Sequence, residues 1–186
     1  VKSYVLAALT YLAPDAAANT LRWRHGTLPT AIIRARELGL NVATLPWRTI
    51  HGEECSGYWP AGVAAFHINA DIADVVLRYV NATGDVQVER AVGMDLPVQT
   101  ARLWASLRYF DGSGKFRIDE VTGPDEYSAI ADKNVCTNLM AQRNLAPADD
   151  AITRHRDLAD DLGIASEEQQ TWRRRPSGCS SRMTTN

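Results

Sequence analysis

The sequence predicts an all-α protein, and three observations carry that prediction. Apolar residues recur at helical spacing in one segment after another. Glycine and proline stop signals divide those segments. No strand–helix alternation of the kind that builds a parallel sheet appears, and no short repeat is evident. Long loops separate the helices, so function is expected to sit on the loops at one end of the assembly.

In chain order, Tyr4 to Leu12 is apolar nearly throughout and ends before Pro14, and Asp15 to Arg24 reads as a second helix. In "GTLPTAIIRARELGL" Thr27 is the expected N-cap, Pro29 falls in the first turn and Gly39 lies past the end. The stretch from Asn41 to Pro60 is a long loop, and a loop of that length inside a compact domain is either functional or disordered. Disordered segments are poor in aromatics, whereas this one carries Trp47, Tyr58 and Trp59, which favours function. Ala64 to Val80 is the strongest helix, with Ile68, Ile72, Val75, Val76 and Tyr79 at helical spacing and Thr83-Gly84 as its stop. "DVQVERAV" and "LPVQTARLWASLRYF" are two further helices, broken by Gly93 and Pro97, and the alternation in "KFRIDEV" predicts a short strand. Lys133 to Leu145 and Ala151 to Leu162 complete the set. The terminal "TWRRRPSGCSSRMTTN" is basic, small and patternless, and reads as a disordered tail over 173–186; a basic localisation tag is the alternative.

The chain has 186 residues, enough for one domain, with 45% hydrophobic and 23% charged residues. A formal net charge of -2 leaves no electrostatic footprint for nucleic acid or a membrane surface, so partners should be small or neutral molecules. Cys55, Cys136 and Cys179 are far apart and odd in number, without CxxC or histidine at metal-ligand spacing. Reduced thiols in a cytoplasm are the expectation. No run approaches the roughly 20 apolar residues of a membrane helix. The start lacks a signal peptide's basic residues and cleavage site, and also lacks Met, which reads as a piece of something longer.

Two segments carry candidate chemistry. "VTGPDEYSAIADKN" puts two carboxylates on a Gly-Pro turn between helices. Breaking a glycosidic bond needs a carboxylic acid beside the bridging oxygen, and Glu126 flanked by Tyr127 fits that need; an ordinary capped loop is the other reading. Asp125 is the expected turn-former. In "LPWRTIHGEECSGYWPAG", Trp47 and Trp59 are flat apolar platforms, while Arg48, Glu53 and Glu54 are polar groups suited to sugar hydroxyls. A core tryptophan beside a surface ion cluster would give the same pattern. His67 and Asp71 lie four apart and share a helix face, as a structural or site-lining pair; without a third ligand nearby, no metal site is expected.

"VTGPDEYSAIADKNVCTNLMA" resembles the "GPDEYH…VDNNAYTN.MA" block of glycoside hydrolase family 65, the inverting phosphorylases of maltose, trehalose and kojibiose with some hydrolases. "LPWRTIHGEECSGYWPAGVAAFHINADIADVVLRYVNATGD" resembles the preceding block, and "ARLWASL" the family's "ARFW.S". The likeness runs from about Tyr4 to about Trp172. It implies an (α/α)6 barrel, of which residues 1–172 would form an incomplete part. Glu126 would be the general acid, protonating the leaving oxygen while inorganic phosphate attacks the anomeric carbon from the opposite face. No cofactor or metal is implied, and phosphate is a co-substrate. Trp47 and Arg48 would line the acceptor-sugar site, and "WRTI.GEE" followed by "PAG…HINADI" looks most like the trehalose-acting members. Full-length relatives would be homo-oligomers.

The chain departs from the family at Ser128, where the family has His. Val1-Lys2-Ser3 does not supply the donor-binding Trp-Asp pair, and the Lys-Gln pair and phosphate loop belong after Trp172. Codons for "PSGCSSRMTT" can yield the family's "FIPYD" pattern in a shifted frame, so a frameshift near Arg175 is expected. A hydrolase of the same family and an inactive truncated fragment are the alternatives to a trehalose phosphorylase.

Overall fold

The structure, a computed structural model, describes residues 2–40, 42–124 and 129–173, with backbone alone at Lys2 and Ser3. Lys2–Leu6 is wound as a π-helix that runs into α1 (Ala7–Leu12). Then follow α2 (Pro14–Gly26), α3 (Leu28–Glu37), α4 (Trp59–Val63), α5 (His67–Thr83), α6 (Val86–Ala91) and α7 (Asp95–Leu107). A hairpin of β1 (Tyr109–Phe110) and β2 (Phe116–Arg117) precedes α8 (Val135–Arg154), α9 (Arg156–Asp161) and α10 (Ser166–Arg173).

Helix α5 stands between two apolar clusters, and its sequence shows why. Ile68, Ile72, Val75, Val76 and Tyr79 lie at three- and four-residue spacing, and with Leu6, Leu21, Leu28 and Leu45 they build the first cluster. On the other side Ala70 joins Met94, Val98, Trp104, Leu145 and Trp172 in the second. The buried Ala70 and Ala73 are short enough for neighbouring helices to come close. Burying each of the large aliphatic side chains stabilises the fold by about 1.5–3 kcal/mol. Gly84 ends α5 in the left-handed conformation at φ 66°, its N–H bonded to the Val80 carbonyl at 2.9 Å.

Several elements differ from the sequence expectation: α4 was not anticipated, the helix expected over Ala151 to Leu162 is broken at His155, and three further differences have a clear physical reason. Helix α7 stops at Leu107 instead of running to Phe110, because Arg108 turns extended and the aromatic pair that follows joins the hairpin. Asp111 closes that hairpin, accepting from the Ser113 and Lys115 N–H groups and from Arg117. Helix α8 continues through Pro147 to Arg154, where a stop near Leu145 was expected. The proline removes one N–H, but buried Ala148, Ala151 and Ile152 keep the following turns against the second cluster. Helix α10 was not anticipated at all. Its segment "SEEQQTWR" is polar, yet Trp172 inserts into the core and Glu168 accepts two bonds from Arg102 of α7, at 2.7 and 3.1 Å. The expected tail beyond Arg173 lies outside the described residues.

Candidate active site

A long irregular loop must find partners for its backbone groups outside regular structure. The segment between α3 and α4 finds them on three helices, the Thr44 N–H reaching the Ala31 carbonyl of α3 at 3.1 Å. Asn69 of α5 accepts from the Leu45 N–H at 2.9 Å and donates to the Phe66 carbonyl at 3.0 Å. Arg24 of α2, 4% exposed, donates to the Pro46 carbonyl at 2.7 Å. Arg34 of α3 donates to the Gly62 carbonyl and lies 3.7 Å from Glu54. Burial pushes the Arg24 guanidinium down to about 10, an effect the nearby Glu54 charge only partly offsets.

Glu54 is the hub of this loop. Its carboxylate accepts from the Trp47 N–H at 2.7 Å, the Ser56 N–H at 2.8 Å, the Arg48 N–H at 3.4 Å and the Ser56 hydroxyl. Burial favours its neutral form, but these donors and the Arg34 charge outweigh burial and hold it below the usual carboxylate range. The peptide unit joining Pro46 to Trp47 is therefore gripped at both ends, its carbonyl by Arg24 and its N–H by Glu54. Between Arg48 and Glu54 the chain makes a tight excursion closed by the Cys55 N–H on the Arg48 carbonyl at 3.0 Å. Gly52 passes through it at φ 122°, close against Thr30 of α3.

The second candidate loop is held at its own neck. Val121 and Ala131 exchange two backbone bonds of 3.2 and 2.9 Å. Below this bridge, Asp132 accepts from the Glu120 N–H at 3.1 Å and Asp119 accepts from the Lys133 N–H at 2.9 Å. Glu120 and Lys133, the donors to these aspartates, both have positive φ, 57° and 56°. Thr122 adds a bond from its hydroxyl to the Ala129 carbonyl, and its N–H reaches the Ala64 carbonyl at 3.0 Å.

The two loops meet at the start of α5. The indole of Trp47 packs edge-on against the imidazole of His67, with ring centroids 5.1 Å apart and planes at 89°. His67, almost wholly buried, donates from Nδ1 to the Thr122 carbonyl at 3.1 Å. That carbonyl can only accept, which fixes the proton on Nδ1. Trp47, His67 and Thr122 thus connect the tryptophan loop to the root of the loop that carries Glu126.

Of the residues singled out in the sequence, Trp47, Glu54 and His67 come together. Asp71 lies half-buried one turn beyond His67, while Arg48 and Glu53 are exposed. A cavity of about 320 Å³ lies beside the loop, with Trp47, Arg48, Trp23, Arg24 and Ile72 among its walls. Glu54 is not on those walls, and its carboxylate is turned toward the loop's own amides. Glu126 and Tyr127, together with Asp125 and Ser128, lie outside the described residues. Among the described residues no group of three or more His, Cys, Asp or Glu is placed to hold a metal ion. No described helix is long and apolar enough to cross a membrane.

Sequence reasoning missed Arg24, Arg34 and Asn69. The signal for Arg24 was present: it falls three residues after buried Leu21 and four before buried Leu28, on the core-facing stripe of the α2–α3 segment.

Comparison with known proteins sets this arrangement in a family. The backbone resembles that of a putative kojibiose phosphorylase from the human microbiome, with a TM-score of 0.85 at 22% identity, over 92% of this chain and 24% of that one. The described helices therefore form part of the same all-α barrel architecture. An uncharacterized glycosyl hydrolase of Mycobacterium tuberculosis is 52% identical over 172 residues, 92% of this chain and 22% of that protein. The α,α-trehalose phosphorylase of Thermoanaerobacter brockii is 41% identical over 181 residues, 92% of this chain and 23% of the enzyme. The chain thus spans less than a quarter of the length of either relative. The model of the glycosyl hydrolase family 65 central catalytic domain matches residues 1–179, and the chain belongs to that family of enzymes.

Proposed function

We propose that this chain supplies the acid-bearing wall of a family 65 phosphorylase that splits an α-glucosyl disaccharide, with α,α-trehalose as substrate. Glu126 is the general acid. It protonates the bridging oxygen as inorganic phosphate attacks the anomeric carbon from the opposite face, releasing glucose and β-glucose 1-phosphate. Phosphate is itself a competent nucleophile, so the reaction needs no second carboxylate as base, and no cofactor. Trp47 offers an apolar platform to the acceptor glucose, with exposed Arg48 and Glu53 available to its hydroxyls. Asp71 and Tyr127 complete the wall.

The observation that carries this reading is the contact of Trp47 with His67 and of His67 with Thr122. It sets the aromatic platform against the root of the loop bearing the acid, as a site working on one glycosidic bond requires. The trehalose assignment is supported by the name of the Thermoanaerobacter relative. The name of the mycobacterial relative favours a second reading, hydrolysis by water at the same site.

The test uses the protein at its full encoded length, incubated with trehalose with and without phosphate, and the products are followed by proton NMR. Phosphate-dependent appearance of β-glucose 1-phosphate is the expected result. Glucose released at the same rate without phosphate would establish the hydrolase instead. Inertness toward every α-glucosyl disaccharide would overturn both.

A further inference from the structure

We propose that Glu54 is a positioning residue for the acceptor subsite, acting on Trp47 and Arg48 through their backbone N–H groups and not as a sugar ligand itself. The inference rests on the reading of Trp47 as the acceptor platform.

An ionised carboxylate offers about four lone-pair sites and no donor. In Glu54 these face the N–H groups of Trp47, Arg48 and Ser56 and the Ser56 hydroxyl, with the Arg34 guanidinium 3.7 Å away. Oε1 takes three of these donors and is filled, while Oε2 lies between the Trp47 N–H and the Arg34 guanidinium and faces the loop instead of the cavity. The side chain is 12% exposed, so it is sunk beneath the loop instead of presented on it.

Geometry then says what the carboxylate controls. It spans the base of the excursion, with Trp47 and Arg48 on one limb and Ser56 on the other. The Pro46–Trp47 peptide plane is held on its carbonyl side by Arg24 and on its N–H side by Glu54. Glu54 also holds the Arg48 N–H, so the peptide planes on both sides of Trp47 are tied, and together they set the direction in which its Cα–Cβ bond leaves the backbone. For Trp47 that direction sets the indole against His67. Substrate-positioning groups must be held within fractions of an ångström, and here the holding group is one half-buried carboxylate.

Charge and shape are separable in Glu54→Gln. The amide keeps the size of the side chain, but its NH2 cannot accept, so one of the facing N–H groups meets a donor. Trp47 then samples other orientations while the bridge between Val121 and Ala131 stays in place.

The experiment measures synthesis from β-glucose 1-phosphate and glucose in the full-length protein, comparing wild type, Glu54→Gln and Trp47→Ala. The expected result for Glu54→Gln is a rise of about tenfold or more in the KM for glucose. The KM for β-glucose 1-phosphate should stay within about twofold and the melting temperature should be only modestly lowered. A merely structural role would move all three together. If Trp47→Ala raises the glucose KM and Glu54→Gln does not, the inference is overturned while the acceptor-site reading stands. If Trp47→Ala leaves the glucose KM alone, the acceptor-site reading fails, and amide hydrogen exchange decides the inference separately. Faster exchange at Trp47, Arg48 and Ser56 in Glu54→Gln supports it, and unchanged exchange at those amides refutes it. Should Glu54→Gln not fold, Ser56→Ala removes a single donor from the same hub. The expected rise in glucose KM is then about two- to fivefold, and no rise overturns the inference.

Discussion

The tryptophan loop and the loop that carries Glu126 meet at His67, which with Ala64 also holds Thr122, yet most of their support differs in kind. The first borrows its rigidity. Its backbone groups are met by Arg24, Asn69 and the Ala31 carbonyl from three helices, and its own Glu54 is half-buried among donors. The second is pinned at its own neck by a two-bond bridge and a reciprocal pair of aspartates, Asp119 and Asp132, of which Asp132 is exposed. Buried charges in the first loop make each anchor costly to lose. Val121 and Thr122 of the second neck are buried, but solvent reaches Asp132, where water replaces a lost partner. Rigidity built from buried ions should therefore fail steeply, and rigidity built from exposed turns should fail gently.

Substitutions at each loop can break or sharpen this contrast. Arg34→Ala should have the largest effect, since it strips the half-buried Glu54 of its cation and the Gly62 carbonyl of α4 of its donor. A loss of about 3 kcal/mol in urea unfolding is the expected outcome, and less than about 1 would erase the contrast. Gly52→Ala should follow at about 2 kcal/mol, because φ 122° excludes ordinary side chains and a Cβ would sit 3.2 Å from the Thr30 hydroxyl. His67→Phe keeps a ring beside Trp47 but leaves the Thr122 carbonyl without its donor. It should cost about 1–2 kcal/mol and speed amide exchange at Val121 and Ala131, showing that the two loops are coupled. Asp132→Ala should be mildest, at about 0.5–1 kcal/mol, with no change in exchange at Trp47. An effect on Trp47 as large as that of Arg34→Ala would mean the loops share one support.

The same contrast explains what could be read in advance. Helix α5 was legible because its apolar residues repeat at three and four and Gly84 supplies an unambiguous stop. Trp47 and His67 were legible as residue types, since aromatic and imidazole side chains in or beside a long loop invite a functional reading. Arg24 and Arg34 were not, because an arginine on a helix ordinarily reads as a solvated charge. Only its position relative to Leu21 and Leu28 marks Arg24 as inward-facing. Glu54 was legible as a polar group near the site, but its direction was not, since spacing cannot say whether a carboxylate faces solvent or its own backbone. Helix α8 past Pro147 and helix α10 depend on tertiary packing, at Ala148, Ile152 and Trp172, that local pattern does not encode.

The proposed role of Glu126 underlies the whole account, and one comparison tests it most directly. Phosphorolysis of trehalose and of α-glucosyl fluoride is measured for the full-length protein and its Glu126→Gln variant. Fluoride leaves without needing a proton from the enzyme, whereas glucose does not. A general acid predicts a fall of about 10²–10⁴ on trehalose with α-glucosyl fluoride close to wild type. An equal loss on both substrates would contradict that role and leave Glu126 a structural residue of its loop.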